Sequence, residues 1–89
     1  MANLMKSEND RHRVVLYTRR GCHLCDEARE LLERCGLRPE EIDIDNDPTL
    51  KKRFDMCVPV VEIDGRVRFR GVIEPVLLRR IIRNWRIAP

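Results

Sequence analysis

The chain has 89 residues, of which 43% are hydrophobic and 37% charged, and its formal net charge is +3. This length and balance suit one small domain, and they exclude both a second hydrophobic core and a wholly disordered chain. No apolar run approaches the roughly 20 residues that span a bilayer, and the N-terminus lacks the apolar segment of a signal peptide, so we expect a cytoplasmic protein with no membrane partner.

The N-terminal part predicts a flexible tail followed by a buried strand. Residues 1–12 are polar and without pattern, so we predict a flexible tail there and one folded domain at 13–89. Val14 to Thr18 form a continuous run of β-branched and apolar residues, which is typical of a strand buried on both faces. The run ends at Arg19-Arg20-Gly21, which predicts a turn.

The next segment predicts an amphipathic helix from His23 to Cys35. Its apolar residues recur at helical spacing with charged residues between them; they are Leu24, Ala28, Leu31, Leu32 and Cys35. Gly36 follows at the position where a helix end favours a left-handed residue. The strand and the helix are therefore joined directly at residues 19–22.

The middle of the chain predicts an edge strand and a short helix. Glu41 to Asp45 alternate polar and apolar residues, the period of a strand with one covered face. Asp47 followed by Pro48 is an N-cap and first-turn signal, and Leu50 with Phe54 form the apolar side of a short helix.

The last part predicts a hairpin and a third helix. Val58–Ile63 and Val67–Arg70 are joined through Asp64-Gly65, a strong two-residue hairpin signal. Pro75 can begin a helix whose apolar stripe contains Leu77, Leu78, Ile81, Ile82 and Trp85. A strand, crossover helix and second strand of this length should pair in parallel, whereas the hairpin makes the last two strands antiparallel.

The positive charge is concentrated near the C-terminus, where residues 66–86 carry seven basic residues and one acidic residue. A basic segment invites a nucleic-acid interpretation. Its arginines, however, alternate with apolar residues at helical spacing, and only 4% of the chain is aromatic, which leaves little for base stacking. We therefore expect no nucleic-acid partner.

Four cysteines in a chain without a signal peptide are expected to be reduced thiols most of the time. Cys22 and Cys25 lie where the buried strand meets the amphipathic helix. Free backbone N–H groups and the positive end of the helix dipole favour a thiolate at Cys22, and Arg19 and Arg20 add positive charge. Cys25 lies one helical turn further, where it can attack a disulfide formed at Cys22. The spacing predicts dithiol redox chemistry.

The run Tyr17-Thr18-Arg19-Arg20-Gly21-Cys22-His23-Leu24-Cys25, the element order and Val58-Pro59-Val60 resemble the small bacterial glutaredoxin-like proteins of the thioredoxin superfamily. The resemblance runs from about Val14 to Ile82. It implies an α/β fold with a four-stranded mixed sheet in the order 2-1-3-4, flanked by three helices. It also implies a thiol-disulfide oxidoreductase in which Cys22 attacks and Cys25 resolves. The implied substrate-binding residues are Arg19, His23, Leu24, Val58 and Pro59, with a cis bond before Pro59.

The implied partners are protein disulfide substrates, with glutathione or thioredoxin reductase as the electron source; we expect a monomer with no bound cofactor and no metal. The sequence departs from the glutaredoxins at three places. His23-Leu24 replaces Pro-Tyr, Cys57 stands where a Thr is usual, and residues 70–74 contain no Asp. These departures leave the use of glutathione as a co-substrate open.

A second class of function is a metal or iron–sulfur carrier that uses Cys22. A site of four cysteines fails on geometry, because Cys35 lies about 20 Å further along the helix. Cys35 is interpreted as a small buried apolar residue. Cys57 is interpreted as structural, with a third redox thiol as the alternative.

Overall fold

The computed structural model describes residues 11–87 of the chain. The four strands are β1 (Val14–Thr18), β2 (Glu40–Asp43), β3 (Val60–Ile63) and β4 (Arg66–Arg70). The three helices are α1 (His23–Arg34), α2 (Pro48–Phe54) and α3 (Pro75–Ile87). This is the predicted order of elements. The predicted tail lies outside the described residues except at its last two positions, and the domain boundary stays a prediction.

The strands form one sheet in the order β2-β1-β3-β4. β1 pairs in parallel with β2 and antiparallel with β3, and β3 pairs antiparallel with β4. The predicted α/β fold with a mixed sheet in the order 2-1-3-4 is therefore confirmed. The hairpin prediction is also confirmed, because Asp64 and Gly65 have φ values of 51° and 83°, as a tight turn between β3 and β4 requires.

β2 ends two residues earlier than the predicted strand, and that part of the prediction is wrong. The chain turns into a short 3₁₀ helix at Ile44–Asn46. The turn forms because the carboxylate of Asp43 accepts a hydrogen bond from the backbone N–H of Asp45 at 2.9 Å. It carries Ile44 into the core, where this side chain is fully buried.

The sheet is covered on both faces because successive side chains of β1 point in opposite directions. Val14 and Leu16 pack towards α1 and α3, together with Leu32 and Leu78. Val15 and Tyr17 pack on the other face, in a cluster completed by Ile44, Phe54 and Val60. Within residues 11–87, no helix combines the length and apolarity needed to cross a membrane.

His12, which the sequence places at the end of the tail, contacts the domain. Its ring stacks on Trp85 with 4.0 Å between ring centroids, and its Nδ1 lies 2.7 Å from Oδ2 of Asp64. The other carboxylate oxygen of Asp64 accepts the backbone N–H of Arg13 at 2.9 Å. Burial acts to raise the pKa of Asp64, but the hydrogen bonds from His12 and Arg13 outweigh it and lower that pKa.

Asp64→Asn is expected to lower the free energy of unfolding at pH 7 by about 0.5 kcal/mol, because an amide oxygen accepts these hydrogen bonds less strongly and the site is half exposed. Asn tolerates the left-handed backbone of this position. Since folding lowers the pKa of Asp64, its ionised form stabilises the protein above the unfolded value, and this stabilisation is lost as pH falls through the folded value. Urea denaturation at pH 7 and at about pH 2.5 should show the difference only at the higher pH. A difference that persists at the lower pH, or appears equally in Glu33→Gln, would contradict this assignment.

Candidate active site

Cys22 is the N-cap residue of α1. Its backbone is extended (φ −91°, ψ 110°), and its sulfur accepts a hydrogen bond from the backbone N–H of Cys25 at 3.2 Å. Its carbonyl accepts the N–H of Asp26, also at 3.2 Å. The half-buried sulfur thus takes the place that a Ser or Asp oxygen usually holds at a helix start, where free N–H groups and the helix dipole favour negative charge.

Cys25 lies in the first turn of α1 and is only 3% exposed. Burial raises the pKa of its thiol to about 12, and the hydrogen bond and charge of Cys22 act in the same direction. The two cysteines therefore differ in environment: Cys22 faces the helix N-terminus and partly the solvent, whereas Cys25 is held as a buried thiol beside it. This difference is compatible with Cys22 as an attacking sulfur and Cys25 as a resolving thiol.

A polar groove of about 310 Å³ lies beside Cys25, between the start of α1 and the end of β2. Three carboxylates line it, those of Asp26, Glu41 and Asp43. Arg29 bridges two of them, at 3.2 Å from Asp26 and 3.5 Å from Glu41. The negative charge of Asp26 is one of the causes that raise the pKa of Cys25.

Arg19 ties the β1–α1 turn to the rest of the protein. Its Nε lies 3.0 Å from a carboxylate oxygen of Asp45, and its Nη2 lies 2.5 Å from a carboxylate oxygen of Asp55. Nη1 also donates to the carbonyl of Asp55 at 3.0 Å. These hydrogen bonds raise the pKa of Arg19 further above its ordinary value, and the bond to Asp55 has the largest effect. Its predicted role in substrate binding stays a prediction, and no local pattern in the sequence indicates either carboxylate partner.

His23 and Leu24 begin α1 on the protein surface. His23 is exposed, and 46% of Leu24 is exposed although it is a large apolar residue. Both directly follow Cys22 in the chain, and their predicted roles in substrate binding stay predictions.

The Val58–Pro59 peptide bond is cis, as the resemblance implies. Pro59 is buried and Val58 half-buried. Tyr17 near the end of β1 is paired with Val60 at the start of β3, so the segment before β3 lies at the same end of the sheet as the turn that leads to Cys22. The carbonyl of Pro59 accepts the N–H of Gly71 at 2.7 Å, which brings the β4–α3 loop to that end as well.

Neither of the other two cysteines lies at the start of α1. Cys57 is half-buried against the Phe54 cluster, and its sulfur is 3.9 Å from Nη1 of Arg70. Cys35 follows the last turn of α1, at the opposite end of the helix from Cys22, and packs against the core. In the part of the chain that the structure describes, no group of three His, Cys, Asp or Glu side chains is placed to hold a metal ion. A metal bound through Cys22 would therefore need ligands from elsewhere.

Comparison with known proteins shows the fold and the family of the chain. The X-ray structure of the structural-genomics target protein XcR50 from X. campestris is 31% identical, with a TM-score of 0.67 over 85% of this chain and 99% of that one. Protein Ne2328 from Nitrosomonas europaea is 25% identical, with a TM-score of 0.64 over 79% and 89%. Oxidised mitochondrial thioredoxin 3 from Saccharomyces cerevisiae, at 21% identity and a TM-score of 0.56 over 92% and 84%, shares the fold. Residues 13–87 match the model of the glutaredoxin-like domain, DUF836. The chain therefore belongs to the glutaredoxin-like domain family and has the thioredoxin-like fold.

Proposed function

We propose that this protein is a dithiol thiol-disulfide oxidoreductase that reduces protein or low-molecular-weight disulfides. The observation that carries the proposal is the pairing of two unlike sulfurs at one helix start. The sulfur of Cys22 accepts the N–H of Cys25, and the thiol of Cys25 is buried directly behind it. Membership of the glutaredoxin-like family supports the same chemistry.

The first step is attack by the thiolate of Cys22 on one sulfur of the substrate disulfide. A bond forms between Cys22 and that sulfur, the substrate S–S bond breaks, and the other substrate sulfur leaves as a thiolate that takes up a proton. The N–H of Cys25 and the N-terminus of α1 stabilise the negative sulfur before attack.

In the second step Cys25 loses its proton and attacks the sulfur of Cys22. The Cys22–Cys25 disulfide forms and the second substrate thiolate leaves, so the substrate gains two electrons and the protein loses two. The negative charge on Cys22 helps to raise the pKa of Cys25. That charge disappears in the mixed disulfide, so the pKa of Cys25 falls before Cys25 attacks the sulfur of Cys22. An external thiol reductant then restores both cysteines.

The surface around Cys22 supplies the proposed substrate contacts. His23 and Leu24 directly follow Cys22, and we propose that they contact the substrate together with the backbone of Val58, which precedes the buried Pro59. Arg19 holds the turn that carries Cys22 through its bonds to Asp45 and Asp55. We propose that it acts on the substrate mainly by positioning this turn.

Two recycling assays test the function and distinguish the electron sources. Hydroxyethyl disulfide is the substrate, and NADPH consumption is followed with glutathione plus glutathione reductase, or with thioredoxin reductase alone. Catalysed consumption in either assay, absent in Cys22→Ser, is the expected result. No acceleration in either assay, together with metal or visible absorbance in the purified protein, would instead support the metal or iron–sulfur carrier.

A further inference from the structure

An open groove runs along the surface between α1 and α3, and we call it the α1–α3 groove. It consists of two adjoining cavities of about 280 and 810 Å³ that share Leu31, Arg34 and Pro75. The near half starts at Leu24, two residues after Cys22, and the far half ends at Cys35. The groove therefore runs from the first turn of α1, which directly follows Cys22, to the opposite end of that helix.

The near half of the groove is rich in exposed apolar surface. Leu24 and Val72 line it and are 46% and 70% exposed, and Val76, next to the lining residue Pro75, is 57% exposed. Among the side chains described, those of residues 11–85, the only other large apolar one with comparable exposure is Met56. A concentration of such side chains beside a reactive sulfur is typical of a surface that binds another molecule.

The far half of the groove is positively charged. Its charged lining residues are Arg34, Arg79 and Arg83, and no acidic side chain lines it. In the described part of the chain, none of these three arginines forms an ion pair, unlike Arg13, Arg19 and Arg29. The near half instead carries two carboxylates, those of Glu27 and Glu30. The groove thus changes sign along its length.

We propose that the α1–α3 groove docks the disulfide-bearing protein substrate through a segment with apolar residues beside its disulfide and acidic residues further along. This inference rests on the proposed function and adds the substrate class. The eleven steps of helical rise from Leu24 to Cys35 correspond to about 16 Å of helix. An extended segment covers that distance in about five residues, so the acidic residues belong about five positions from the disulfide.

This length also separates a protein substrate from a small thiol. A tripeptide extends over roughly 10 Å, so a ligand of that size bound at Cys22 stays in the near half and leaves the three arginines without a partner. The arginines of the far half would therefore attract the acidic residues of a protein substrate. They would not affect a small thiol bound at Cys22.

The test uses synthetic ten-residue peptides that carry one cysteine as a mixed disulfide with thionitrobenzoate, whose release is coloured. Leu stands next to the cysteine, and two Glu or two Lys stand about five positions away, on either its N-terminal or its C-terminal side. We compare Glu and Lys peptides that carry the charged pair on the same side of the cysteine. For the side that gives the faster Glu peptide, we expect that peptide to react about tenfold faster than the Lys peptide at low salt. In high salt the ratio of the two rates should approach one.

The double variant Arg79→Glu, Arg83→Glu is expected to abolish or reverse this preference, while hydroxyethyl disulfide is reduced at the wild-type rate. Arg66→Glu, Arg68→Glu is the matched control, because it changes the net charge equally on exposed positions of β4 that do not line the groove. Equal rates for the Glu and Lys peptides, or an unchanged preference in the Arg79/Arg83 variant, would overturn the inference.

Binding without chemistry keeps this outcome separate from a failure of the proposed function. The same peptides with Ser in place of Cys are titrated against the ¹⁵N-labelled protein. Shifts of the amides around Leu31, Arg79 and Ile82 that the Glu peptide causes and the Lys peptide does not cause support docking. A wild-type protein that reduces no small disulfide contradicts the proposed function, whereas equal shifts with both peptides contradict the groove.

Discussion

Cys22→Ser is expected to abolish disulfide reduction, and Cys25→Ser to accumulate a mixed disulfide between Cys22 and the substrate. The attacking sulfur is the one at the N-cap of α1, and no exchange begins without it. Without Cys25, the first step proceeds but the buried resolving thiol is missing, so the substrate stays attached until an external thiol releases it. In a single turnover without added thiol, the release of fully reduced substrate by the reduced protein should fall at least about 100-fold in both variants.

Intact-mass spectrometry distinguishes the two variants, because only Cys25→Ser gains the mass of the substrate thiol. Cys35→Ser and Cys57→Ser are the matched controls and should retain activity. Comparable residual activity in the Cys22 and Cys25 variants would show that the two-cysteine scheme is wrong. Cys57 would then be the first alternative resolving thiol to test.

Iodoacetamide is expected to modify Cys22 at least about 100-fold faster than Cys25 in the reduced protein at pH 7. Cys25 is 3% exposed and burial raises its pKa to about 12, so its thiol is almost entirely protonated at pH 7. The sulfur of Cys22 is half-buried at a helix N-terminus and lacks this protection.

Peptide mass spectrometry after timed labelling measures both rates in one sample. In Cys22→Ser, labelling of Cys25 should still increase between pH 7 and pH 9, because burial continues to favour its protonated form. Equal labelling of the two cysteines in the wild-type protein would contradict the division into an attacking and a reserve thiol.

Local patterns were sufficient to predict the elements of the fold. The apolar run of β1, the helical spacing of α1 and the Asp64-Gly65 turn each depend on neighbouring residues, and the structure contains all three. The end of β2 was predicted wrongly because alternation alone does not show that the carboxylate of Asp43 turns the chain at Asp45. Side-chain to backbone bonds of this kind compete with strand pairing.

The site was predicted only in part, since its cysteines are local and its surroundings are not. The spacing of Cys22 and Cys25 places both at the start of α1, but the partners of Arg19 lie 26 and 36 residues away in the chain. In the sequence, the arginines of α3 alternate with apolar residues at helical spacing, which is typical of a solvated helix face. Their position opposite Arg34 across a groove depends on how α1 and α3 pack, and no sequence period contains that information.

A redox titration with disulfide mapping tests the central claim most directly. The protein is equilibrated in reduced and oxidised dithiothreitol at graded ratios, trapped with acid and alkylated, and its peptides are analysed by mass spectrometry. We predict a single two-electron transition in which Cys22 and Cys25 become linked to each other while Cys35 and Cys57 stay alkylated. A transition that links Cys22 to Cys57, or no intramolecular disulfide at any ratio, would contradict the account.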